Sequence, residues 1–170
     1  MNYLLIGLVG VLIIQFAVFF GPPYLPTFKA QRKLALDMLD LKPGQTFYDL
    51  GCGDGSLLIE ASRRGLKAVG YELNPVLATV AWLRTMRHRE KVRIVVGNFW
   101  KADLSDANGI FVFLAGRYMS KIDRLVTSQV ENPIRLVSYG FSIPDRKADV
   151  KKGAMFLYQY GQLAPDTQSV

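Results

Sequence analysis

At 170 residues, half of them hydrophobic, the chain is long enough to bury one core without disulfide staples. Its single cysteine, Cys52, excludes an internal disulfide and a cysteine-based metal cluster. Its single histidine, His88, weighs against a His/Cys zinc site or a Ser-His-Asp triad, and no metal is expected. The net charge of +7 suits an anionic partner surface, either membrane or nucleic acid, without choosing between them.

Residues 3–20 read YLLIGLVGVLIIQFAVFF, uncharged and with Gln15 as the only strongly polar side chain. That length reaches the lower end of what a helix needs to cross roughly 30 Å of hydrocarbon. A cleaved signal peptide would want basic residues before the apolar run and small residues at its end. Met1-Asn2 and Phe19-Phe20-Gly21-Pro22-Pro23 supply neither. A buried core helix would keep a polar stripe, and this run has none. Residues 1–21 are therefore expected to form a transmembrane anchor in contact with the lipid bilayer through residues 3–20. Lys29, Arg32 and Lys33 lie just downstream, which places the following domain on the cytoplasmic side, or the matrix side in a mitochondrion.

The prolines of GPPYLP end the apolar run and open a linker and N-terminal helix over 22–43, with Thr27 predicted to cap a helix over 28–40. Tyr24 and Pro26 serve there either as a lid or as a spacer. A regular alternation begins after Lys42-Pro43-Gly44. Strands are predicted over 46–50, 67–72, 92–96, 110–114, 134–141 and 155–160, and helices over 56–64, 75–87 and 118–130. Asn74 and Pro75 supply the cap and first position of the helix over 75–87. Short apolar strands separated by crossovers call for a Rossmann-like, doubly wound α/β fold with a mostly parallel sheet and a short C-terminal part. The domain is expected over 44–163, followed by a tail over 164–170.

The exit of the first strand is YDLGCGDGS, with Gly51, Gly53 and Gly55 at alternating positions. In such a sheet ligands sit beyond the carboxyl ends of the strands, and glycines let a ligand approach backbone closely. A G-x-G-x-x-G dinucleotide loop would carry its third glycine one residue later. Asp49 and Asp54 would also repel a pyrophosphate; they suit a ligand bearing an ammonium and a sulfonium. Glu72, in GYELNP at the end of the second strand, can accept both hydroxyls of a ribose. Asn98 and Phe99, past the third strand, offer an amide and a ring to an adenine, although such an aromatic also suits a core.

DLGCGDG, GYELNP and GNFW, in this order and spacing, resemble the class I, seven-β-strand S-adenosylmethionine (SAM)-dependent methyltransferases over about residues 44–143. The resemblance implies SAM as cofactor and S-adenosylhomocysteine as product. It implies that Asp49, Gly51, Cys52, Gly53 and Gly55 border the methionine part, that Glu72 with Leu73 holds the ribose, and that Asn98 with Phe99 meets the adenine. Asn98 departs from the aspartate many members carry there, but an amide can still pair with an adenine edge.

The fourth strand leads into FLAGRYM, without the prolines of the base-amine methyltransferases, and no RNA-reading module is visible, so nucleic acid is not the expected partner. PPYLPT, GYELNPVLATVAWLR, FWKADLSDANGIFVFL and SYGFSIPD resemble a narrower group. These are the membrane-anchored lysine methyltransferases of the ATP synthase c-subunit and the adenine nucleotide translocase, with short prokaryotic relatives. With no Arg- and Ser-rich leader, the chain is more similar to the latter. The resemblance implies a membrane-embedded protein presenting a lysine as partner. Asp103 and Tyr118 are the catalytic candidates, as groups orienting the incoming ammonium. Asp106 is read rather as a turn carboxylate and Trp100 as core, with Tyr139, Phe141 and Pro144 beside the opening. Methylation of a lipid or quinone is the alternative activity, and a non-catalytic SAM-binding assembly factor the alternative without one.

Overall fold

The computed structural model describes residues 26–129 and 132–161. The transmembrane anchor expected over 1–21, Tyr24 and the tail over 164–170 lie outside the described residues. Among the described residues, no helix is long and apolar enough to cross a membrane.

The chain forms α1 (Lys29–Leu39), β1 (Thr46–Leu50), α2 (Ser56–Arg63), β2 (Lys67–Glu72), α3 (Pro75–Thr85), β3 (Val92–Val96), β4 (Gly109–Val112), α4 (Met119–Thr127), β5 (Ile134–Tyr139), β6 (Val150–Lys152) and β7 (Met155–Tyr160). One seven-stranded sheet results, in the order β3-β2-β1-β4-β5-β7-β6. The five strands β1 to β5 are parallel, and β7 and β6 close the far edge antiparallel. The order reverses between β1 and β4, so the switch point falls at the exit of β1, where the glycine loop stands.

Strand alternation separates two cores. Phe47, Ala68, Phe111 and Val137 face α1, α2 and α3, whereas Tyr48, Val69, Ile110 and Leu136 face α4 and the segment that descends from β3 to β4. That segment contains only a short 3-10 turn, Phe99–Lys101, and buries Ala102, Leu104 and Ala107 where a crossover helix would lie. Asn74 caps α3 as expected, accepting from Val76 N at 2.9 Å and Leu77 N at 3.3 Å, with Pro75 at the first turn.

The strand expected over 134–141 ends at Tyr139, the helices expected over 75–87 and 118–130 end at Thr85 and Thr127, and other expectations need correction too. Thr27 does not cap α1; Phe28 holds that position without a side-chain bond, and the Thr27 carbonyl instead accepts from the Arg32 guanidinium. β4 starts at Gly109, where Asn108 anchors the chain by accepting from Thr46 N at 2.9 Å, and it ends at Val112, leaving Phe113 and Leu114 in the exit loop. β6 was not among the expected strands, because Val150–Lys152 is short, two-thirds lysine and exposed at the sheet edge. A charged strand of this kind protects an edge from further pairing and carries no apolar alternation to reveal it.

Candidate active site

Parallel register turns separate sequence motifs into one row. Leu50 pairs with Tyr71 on one side and Val112 on the other, Val112 pairs with Ser138, and Glu72 pairs with Val96. The next residues along the carboxyl edge are therefore Val96, Glu72, Gly51, Phe113 and Tyr139, in spatial order and about 4.8 Å apart from strand to strand.

Glu72 is buried and held from both ends. Its Oε2 accepts from Gly53 N at 2.9 Å and its Oε1 from Asn74 N at 2.8 Å, so the carboxylate is fixed in orientation and each oxygen keeps acceptor capacity. Two bonds join the strand-one loop to strand two, where Gly51 N and Cys52 N both donate to Tyr71 O at 2.9 Å. Gly51 adopts φ +102° and a side chain there would meet nothing within 4 Å, so the backbone lies open beside Glu72. Gly70 in β2 was not singled out in the sequence. A Cβ there would stand 2.4 Å from Leu58 Cδ1 and 2.7 Å from Cys52 Sγ, so its bareness lets α2 and the loop settle on the sheet.

Asp49 faces the same side of the sheet as Glu72 and is buried, with no hydrogen bond to its carboxylate among the described residues. Burial, with the nearby Glu72 carboxylate adding, pushes its pKa up to about 8. A buried carboxyl without a partner suits a cationic group of a ligand. Burial, then Asp49 and Glu72, pushes the neighbouring Cys52 thiol up as well, which keeps it un-ionised and unreactive. Asp54 is different: it accepts from Ser56 N and Ser56 Oγ and pairs with the Arg84 guanidinium, so it braces α2 against α3 and does not face Glu72.

Asn98 is exposed past β3. Its Oδ1 accepts from Trp100 N at 3.0 Å, fixing the turn and leaving the amide NH₂ free to donate. Phe99 packs beneath it, its ring 4.6 Å from that of Trp100. Leu73 is exposed at the lip beside Glu72. At the other end of the row, the rings of Phe113 and Tyr139 are 4.6 Å apart. Phe141 lies close to Gly116, where a Cβ would meet its Cδ1 at 3.0 Å. These rings make an apolar wall one and two strands beyond Gly51; Phe113 was missed in the sequence because it was placed inside β4.

The two catalytic candidates are treated differently by the fold. Tyr118 begins α4 at the carboxyl side of β4; its ring lies 6.1 Å from that of Trp100, and its hydroxyl accepts from Arg117 Nη2 at 3.1 Å. Asp103 is not brought to the row. The adjoining residues are tied to the far end of α4, where Gln129 accepts from Leu104 N at 2.7 Å and donates to Ala102 O at 3.0 Å. With α4 running from the carboxyl towards the amino ends of the strands, these bonds draw the chain at Asp103 below the level of Trp100. Asp103 is exposed, and hydrogen bonds from Ser105 hold its carboxyl below the usual carboxylate range. Asp106 accepts from the Tyr48 hydroxyl at 2.7 Å, consistent with a turn carboxylate.

This fold, with a fixed carboxylate on the second strand and a bare loop on the first, is that of the class I SAM-dependent methyltransferases. Residues 49–150 match the family described as the ANTKMT methyltransferase domain, and the chain belongs to that family. The human lysine N-methyltransferase of the ATP synthase C-subunit is 29% identical over 156 residues, which cover 84% of this chain and 66% of that one. A protein-lysine N-methyltransferase of Saccharolobus islandicus (strain REY15A) is 29% identical over 152 residues, 82% of this chain and 94% of its own. The chain spans 55% of the Xenopus laevis counterpart of the human protein. Among solved structures, an RNA methyltransferase from Salinibacter ruber in complex with S-adenosyl-L-homocysteine superposes with a TM-score of 0.77 at 25% identity, covering 84% of this chain and 97% of that one.

Proposed function

We propose that the chain is a membrane-anchored, SAM-dependent protein-lysine N-methyltransferase acting on a membrane protein at the cytoplasmic or matrix face. The observation that carries this reading is the row at the carboxyl edge, in which a cofactor end built from Gly51 and Glu72, with Asp49 behind them, meets an aromatic wall with no general base against it among the described residues. The lysine-modifying relatives support the acceptor, and the uncharged run over 3–20 supports the anchor. Tethering raises the effective concentration of the domain at a membrane-borne lysine.

In this reading Glu72 holds the ribose hydroxyls, Asp49 neutralises the ammonium of the methionine part, and Asn98 donates to the adenine. Bound there, SAM supplies an electrophilic sulfonium methyl group. The chain's remaining task is to present a neutral amine in line with it. Phe113, Tyr139 and Phe141 exclude water around an entering lysine, and that desolvation lowers its pKa from about 10.4. The proton then leaves to solvent, and positioning supplies the rest of the acceleration. Tyr118, at the rim, orients the amine through its hydroxyl.

The test incubates the full chain with methyl-labelled SAM and membranes of the source cell, then separates protein, organic extract and RNA. Label in a protein band that disappears with Glu72→Ala supports the reading. Label in the extract turns it to a lipid or quinone, label in RNA to the activity of the Salinibacter neighbour, and binding of SAM without any label to an assembly factor.

A further inference from the structure

The outer face of α3 is apolar where a helix on the surface of a domain is ordinarily polar. Ala78, Ala81 and Thr85 form its buried stripe. Exposed on the helix are Val76, Val80, Trp82 and Leu83, with Pro75, Thr79 and Arg84 among them; Met86 just past the helix and Leu73 at the lip of the site extend the strip, and the six large apolar side chains are each 37–56% exposed. Arg84 is the only charged residue of the helix and is paired to Asp54. A contiguous apolar strip of this kind marks a surface that something covers.

The flanking charge says what. Arg87, Arg89 and Lys91 follow directly, all exposed and without an ion pair among the described residues, with Glu90 the one acidic side chain between them. An apolar strip bearing a tryptophan, beside a cluster of cations, matches the chemistry of an anionic lipid surface. A second copy of this chain fits less well. Such a copy offers the same cations beside the strip and, among them, only Glu90 to meet those of its partner.

We propose that α3 lies on the headgroup region of an anionic bilayer, as a second contact beside the N-terminal segment. The strip runs from Leu73, next to Glu72, to the cations that precede β3, so this docking lays the β2–β3 flank of the domain on the lipid, with the Glu72 end of the carboxyl edge at its margin. The inference rests on the membrane half of the proposed function, and it fixes which face of the domain meets the lipid.

The test places an environment-sensitive fluorophore on the full chain in vesicles of phosphatidylcholine and phosphatidylglycerol. Leu83→Cys is labelled on the strip, and Thr127→Cys on α4 provides the opposite face of the sheet. Cys52 is buried and stays unlabelled. The expected result is a blue-shifted Leu83 label quenched by nitroxide-tailed lipid, with the Thr127 label unaffected. Docking should weaken about fivefold for each of Arg87→Gln, Arg89→Gln and Lys91→Gln, and by more in vesicles of phosphatidylcholine alone, where all three attractions are lost together. A water-like Leu83 label on protein that floats with the vesicles overturns the proposal while leaving the anchor intact. So does shielding that depends on protein concentration in detergent, which assigns the strip to a second copy. Protein that does not float with vesicles at all overturns both membrane contacts. None of these outcomes depends on methyl transfer, so a failed activity assay and a failed docking assay are distinguishable.

Discussion

Asp49→Asn separates the electrostatics of the cofactor end from its geometry. In the free protein the Asp49 carboxyl is pushed up to about 8 by burial and by Glu72. Near pH 7 it is therefore about nine-tenths protonated. If the ammonium of SAM enters beside it, the carboxyl ionises, and binding releases about 0.9 proton per site. Calorimetry near pH 7 in two buffers of different ionisation enthalpy measures that number directly. The Asn variant lacks the group, so its release should be close to zero while the bare loop and Glu72 remain in place. The same shift acts on stability. Because the folded pKa lies above the ordinary value of 3.8, Asp49's contribution is full below about pH 4 and is lost as pH rises through about 8. The loss is at most about 6 kcal/mol, at about 1.4 kcal/mol per pH unit. The free Asn variant should thus gain in Tm over the wild type as pH rises from about 6 to about 9. Equal proton release by the two proteins, or parallel Tm profiles, would refute the assignment of Asp49 as a partnerless carboxyl awaiting a cation.

Glu72→Ala should lower SAM affinity about 10- to 100-fold, the loss of charge-assisted bonds to a ribose; undiminished binding by titration calorimetry would remove the ribose role. Gly70→Ala drives a methyl group into Leu58 and Cys52 and should cost about 1–3 kcal/mol, read as a lowered Tm in thermal denaturation. Asp103→Ala should leave both SAM affinity and turnover at wild-type values, because the side chain is exposed away from the row; a turnover defect with normal binding would restore it as a catalytic group. Tyr139→Ala should raise the KM for the acceptor with little change in SAM affinity, checked by steady-state kinetics on a lysine peptide.

The cofactor end was legible in the sequence because it is local. YDLGCGDGS and GYELNP each carry a strand, its exit and the polar group at that exit in one short segment, and parallel pairing of β1 with β2 needed only the intervening helix. The acceptor end was not local. Phe113 and Tyr139 meet only because β4 and β5 pair in register, and the apolar run of β4 continues past its last paired residue, which hid Phe113 inside the strand. Asp103 misled for a related reason. It follows strand three closely in sequence, but without a crossover helix the chain has already turned downward by Ala102, and Gln129, from another element, holds it there. Asp54 is the same residue type as Asp49 five residues earlier, yet its fate was set by Arg84 on α3. Pairings of that kind are invisible to spacing.

The chemical identity of the methylated group decides whether the acceptor is a protein lysine. Labelled protein from source membranes, incubated with the full chain and with Glu72→Ala as control, is hydrolysed to amino acids and separated. The label is expected to co-migrate with ε-N-methylated lysine and to be absent from the control. Label in any other amino acid, or only in lipid or nucleotide, would contradict the lysine assignment.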